Sequence, residues 1–125
     1  MSYRGKAAFA LAEVMAALLV VSIALFALIA LQIYALRSQQ GASERHTASV
    51  LASSLIDEAI NTLETDFAAD VDQARQAASV TGFEYERTAE PDPASALLKQ
   101  LEVIVYWTDR DGEHHYTVST KVVKK

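Results

Sequence analysis

Three stretches of the chain differ in how apolar and polar positions alternate. Over residues 14–31 seventeen of eighteen positions are apolar, and the exception is Ser22. Eighteen helical residues rise about 27 Å at roughly 1.5 Å each, close to the ~30 Å hydrocarbon core of a bilayer. Residues 9–13 and 33–36 cover the remaining thickness. A helix that is apolar on every face belongs in a large core or in lipid. At 125 residues the chain makes one small domain, with too little protein to wrap such a helix. A cleaved secretory signal has an apolar region of roughly 7–15 residues followed by a small-residue cleavage site. Here the run passes into Gln32 and Arg37 without one. The expected element is a membrane-spanning helix.

Beyond Ser38 the rhythm changes. Leu51, Leu55, Ile56, Ile60, Leu63 and Phe67 recur three and four residues apart, which is one buried stripe on an amphipathic helix. Glu44, Arg45, Asp57, Glu58 and Glu64 fall on its other side. With no proline between the two patterns, a single helix is expected over residues 9–63, spanning lipid and then amphipathic. Gly41 is its soft spot, costing about 1 kcal/mol against alanine. Residues 66–79 are also helix-compatible, as a continuation or a short separate helix. Thr81-Gly82 breaks the pattern.

A period of two follows. Phe83, Tyr85 and Arg87 alternate with Glu84, Glu86 and Thr88, which reads as a first strand. Glu90-Pro91-Asp92-Pro93 reads as a loop. Leu101, Val103, Val105 and Trp107 share one strand face, opposite Glu102, Ile104 and Tyr106. Asp109-Arg110-Asp111-Gly112 supplies a connection, and Tyr116, Val118, Thr120 and Val122 continue the alternation as the return strand. The predicted fold class is α+β: a long N-terminal helix packed on a small C-terminal antiparallel sheet.

Charge adds orientation. Arg4 and Lys6 precede the span with no acidic neighbour, and basic flanks stay on the cytoplasmic side. Only Arg37 stands just beyond the far end. Residues 38–125 carry fifteen acidic and eight basic side chains, which argues against a nucleic-acid partner held through a basic patch. The absence of cysteine removes disulfides, thiolate metal sites and a thiol nucleophile together. His114 and His115 are neighbours on a strand and point to opposite faces, so they do not chelate from one side. The Asp109–Glu113 run is short for a calcium loop and reads as a hairpin turn. Ser49, Ser53 and Ser54 lack a histidine and acid arrangement. No catalytic residue, metal site or cofactor is expected, and the chain reads as a substrate of processing enzymes instead of an enzyme. Ala17, Ala24 and Ala27 would let helices approach closely.

Glu13 is the anomaly. An ionised carboxylate in the apolar zone costs a few kcal/mol unless it lies at the interface, takes a proton or meets a cation. Its surroundings, Phe9-Ala10-Leu11-Ala12-Glu13-Val14-Met15-Ala16-Ala17, follow a short basic leader and open a long helix. This arrangement resembles the N-terminus of type IV pilins and type II secretion pseudopilins. In that family a basic leader ends before a phenylalanine, and a glutamate follows four residues later. The run SIALFALIALQIYALRSQQ and the WTDRDG hairpin are similar to minor pilins of the V type, with the I-type minor pseudopilin as the close second.

The resemblance implies a pilin-like fold with residues 1–8 as prepilin leader, 9–37 as the transmembrane part of the helix and 38–125 as a periplasmic domain. A prepilin peptidase would cut between Ala8 and Phe9 at the inner membrane and N-methylate the Phe9 amine. Glu13 would then pair with the Phe9 ammonium of an adjacent pilin or pseudopilin subunit, setting axial register. The family has glycine immediately before the cleaved bond, where this chain has Ala8, and cleavage after Gly5 would instead leave Lys6 at the terminus. Ala30 stands where many major pilins have a helix-breaking proline. An unprocessed single-pass accessory subunit and a secreted protein with an unusual signal remain the other classes.

Overall fold

The computed structural model describes residues 3–125. In chain order it contains α1 (Tyr3–Thr65), β1 (Gln73–Ala77), β2 (Phe83–Asp92), β3 (Ser95–Asp109) and β4 (Gly112–Val123). The chain divides into two compact units, residues 1–42 and residues 43–125.

Among the described residues the first unit is helix alone. Every residue from 4 to 40 is exposed, apolar and polar alike. Its most apolar window has a mean hydropathy of 3.0, so α1 is long and apolar enough to cross a membrane. The helix already runs through Tyr3 to Ala8, ahead of the expected Phe9, and Arg4, Lys6, Ala7 and Ala8 are strong helix formers. Met1 and Ser2 of the expected leader lie outside the described residues.

The second unit packs the rest of α1 on a four-stranded antiparallel sheet, ordered β1-β2-β3-β4. Leu51, Leu55, Ile56 and Leu63 are buried as their spacing predicts, and Ile60 and Phe67 pack against them. Ala48, Ala52 and Ala59 are wholly buried too, and their small side chains let the helix approach the strands. From the sheet come Leu101, Val103, Val105, Trp107 and Val122, so the hairpin presents the face that its alternation predicts. Leu63, Leu101, Val103 and Val105 are the largest fully buried side chains.

Two sequence expectations need correction. Residues 66–79 are not helical: a loop leads into β1. The Asp66 carboxylate accepts the Ala68 N–H and the Asp70 carboxylate accepts the Asp72 N–H, so local side-chain turns outcompete helix continuation. Tertiary pairing with β2 then overrides the helix propensity of Gln-Ala-Arg-Gln-Ala.

The stretch Glu90-Pro91-Asp92-Pro93 is mostly strand. Glu90 and Pro91 pair with Gln100 and Lys99, and the connection to β3 shrinks to Pro93-Ala94. Asp92 closes it by accepting the Ala94 N–H at 2.8 Å. Pro91 is tolerated because β1 accompanies β2 only as far as Arg87, which leaves an edge where a missing N–H costs nothing. The Asp109–Gly112 connection is a plain hairpin turn. Asp109 accepts the Asp111 N–H at 2.7 Å, and Gly112 takes a φ of 124° that disfavours any other residue.

Candidate membrane-assembly segment

The residues singled out around Glu13 all lie on the exposed first unit. Ala8 and Phe9 sit inside α1, so the bond between them is helical. Phe9 is 76% exposed and Glu13 is exposed as well. Their four-residue separation puts them one turn apart on the same helix face. The helix around them is apolar: Leu11, Val14, Met15, Leu18 and Leu19, on its other sides, are all more than half exposed. Ser22, the one hydroxyl in the run, donates to the Leu18 carbonyl at 2.7 Å and so presents no unpaired O–H to an apolar surrounding.

Arg4 and Lys6 occupy the first turns of α1, and no acidic residue accompanies them. Cations there oppose the positive end of the helix dipole and weaken the start of the helix.

The sheet domain carries polar clusters that the sequence reading passed over. On the sheet face away from the helix, Arg75 donates to Glu84 and Glu113, both at 2.6 Å, and lies 4.1 Å from the centroid of the Tyr106 ring. One guanidinium from β1 thus ties all four strands. The hydrogen bond from Arg75 holds the Glu113 carboxyl below its ordinary range. Burial, followed by the nearby Glu86 charge, pushes the Tyr106 phenol up. A shallow depression of about 350 Å³ lies beside Arg75, between Phe83, Tyr106 and Trp107.

Arg87, on the inner face, is buried. Its Nε donates to the Val71 carbonyl at 2.8 Å and one terminal nitrogen to the Leu55 carbonyl at 3.2 Å, pinning β2 to the helix and to the loop before β1. Asp92 is buried at the β2–β3 turn and pairs with Lys121 at 2.6 Å. That bond, and then the Ala94 amide, lower its pKa. The alternation places Arg87 on the inner face, but no local pattern announces its carbonyl partners. Tyr85 and Gln73 are hydrogen-bonded beside it.

His114 and His115 do face opposite ways. His114 stacks on Trp107 with ring centroids 5.6 Å apart, and its Nε2 lies 3.0 Å from Asp109 but off the hydrogen-bonding direction. His115 approaches Tyr106 instead. Among the described residues no group of three histidine or carboxylate side chains is placed to hold a metal ion. Comparison with known proteins returns no match: no family model, no curated protein and no solved structure aligns with the chain.

Proposed function

We propose that the chain is a minor pilin of a type IV filament system, anchored in the bacterial inner membrane with its N-terminus cytoplasmic and its sheet domain periplasmic. The observation that carries this reading is the placement of Phe9 and Glu13 one turn apart on an exposed apolar helix, behind a basic leader. A prepilin peptidase removes residues 1–8. The new ammonium at Phe9 supplies the cation that Glu13 lacks. Pairing between subunits relieves two charges that lipid penalises, and a wrong stagger leaves Glu13 unpaired. The chain then primes or initiates a filament with other minor and major pilins.

Mass spectrometry of the protein recovered from membranes tests this. N-methyl-phenylalanine at residue 9 is the expected terminus, and an intact Met1 or a cut beyond Arg37 rejects it. Glu13→Ala is expected to insert normally while its recovery with partner pilins falls by about tenfold, as for loss of a desolvated charge pair. Undiminished recovery would show that Glu13 sets no register. Co-purified partners separate a type IV pilus from a type II secretion pseudopilus, whose minor pseudopilins share this N-terminal arrangement.

A further inference from the structure

The two edges of the sheet are unlike. β1 is five residues long and bulges between Gln73 and Gln76. β4 pairs with β3 along its whole length without a register shift, and it contains no proline. Lys124 donates its N–H to the Leu97 carbonyl directly opposite, so even-numbered residues of β4 bond inward. The odd-numbered ones, Glu113, His115, Thr117, Ser119 and Lys121, turn N–H and C=O groups to the open side. Such an edge is a template for another strand.

The charges at the two edges are complementary. Lys121 is held by Asp92 and Lys125 by Glu64, so Lys124, just past β4, is the lysine left for a partner, whereas Asp70 and Asp72, both exposed, lead into β1. They stand at the same end of the sheet. Asp72 accepts the Ala89 N–H at 2.6 Å, and Ala89 registers through Leu101 with Thr120, one residue from Lys121. At the other end of β1, Ala77 registers through Glu84 and Tyr106 with His115. Ala78 bonds to the Phe83 carbonyl, so Ala77 turns its own backbone groups outward. Three antiparallel pairings separate β1 from β4, so the two strands are themselves antiparallel.

We propose that the open edge of β4 accepts β1 of a second copy of this chain, with Lys124 of one copy against Asp70 and Asp72 of the other. A second copy is the occupant because one chain carries both halves of the junction, at matching heights. The two copies then point the same way. The contact is heterologous, so each pair leaves one β4 edge and one β1 edge for further copies.

The chain has no cysteine, so single cysteines report the contact cleanly. Full-length Ala77→Cys and His115→Cys chains, both changed at exposed positions, are mixed in detergent micelles under mild oxidation. Disulfide-linked dimer is expected from the mixture and from neither chain alone. Dimer from His115→Cys alone would mean that β4 pairs with β4. A yield no higher than that of an Asn61→Cys control on the exposed helix face would mean chance collision, and either result overturns the proposal. Lys124→Glu in the His115→Cys chain should lower the yield about fivefold, the effect of turning one cross-strand attraction into repulsion. Adding Asp70→Lys to the Ala77→Cys chain should restore it. Indifference to both changes would remove the charge matching on which the choice of partner rests.

Discussion

The two parts of α1 share a secondary structure and differ in what makes it stable. Residues 4–40 are exposed on every side, with Leu18, Ile23, Phe26 and Leu31 all more than half accessible. Residues 43–65 bury one stripe and leave Asp57, Glu58 and Asn61 in water. A stripe is satisfied by a sheet; an all-round apolar surface needs a surrounding solvent of its own kind. The first part is long and apolar enough to cross a membrane and the second is covered by a sheet, so substitutions should separate them.

The largest separation is expected from a pair of changes. Leu101→Ala opens a cavity at the centre of the sheet domain and should cost roughly 2–5 kcal/mol of its stability, leaving membrane insertion intact. Ile23→Arg, mid-way along the apolar run, should penalise insertion by about 3 kcal/mol and leave the sheet domain folded. Urea unfolding followed by Trp107 fluorescence reads the first effect, and alkaline extraction of membranes reads the second. If either change moved both readouts equally, the two parts would not be stabilised independently.

Arg87 comes next. Arg87→Ala removes two charge-assisted bonds to backbone carbonyls and should destabilise the sheet domain by about 2–3 kcal/mol. Arg87→Met keeps most of the side-chain bulk and should cost less, because packing accounts for part of the effect. Equal losses would assign the whole role to hydrogen bonding.

Arg87 also shows where a sequence stops being legible. The stripe from Leu51 to Leu63 and the strand face from Leu101 to Trp107 follow from local period, so both can be read residue by residue. Phe9 and Glu13 are legible for the same reason: four residues is one helical turn. The strand β1 is not, since Gln-Ala-Arg-Gln-Ala has no strand preference and is held by pairing with β2. Nor are the partners of Arg75, which reaches Glu113 from thirty-eight residues away. Pro91 misleads because the edge that tolerates it exists only once β1 has been placed.

The ion pairs of the sheet domain make its stability pH-dependent in a way the apolar segment is not. Hydrogen bonds from Lys121, from Arg75 and from the Asp111 amide lower the pKa values of Asp92, Glu113 and Asp109, respectively. Each carboxylate binds its proton more readily in the unfolded chain, so stability rises with pH. Their contribution is complete above the ordinary carboxylate range, about 4, and is lost as pH falls through the lowered native values. Urea midpoints in detergent should hold between pH 7 and 5 and drop toward pH 3, with a shallower drop for Asp92→Asn. A midpoint unchanged down to pH 3 would mean that these pairs contribute nothing.

The smallest effect concerns the place where the two parts of α1 meet. Gly41 lies inside the helix, next to the boundary after Ala42, and nothing stands within 4 Å of where a Cβ would go. Its backbone is helical with no positive φ, so glycine is not required there. Gly41→Ala should stabilise the helix locally by about 0.5–1 kcal/mol, chiefly by reducing the freedom of the unfolded chain. Amide exchange should slow severalfold over residues 38–45 and stay unchanged in β3. A loss of activity or assembly on this change, with the helix demonstrably firmer, would identify Gly41 as a flexible joint and not a tolerated weakness.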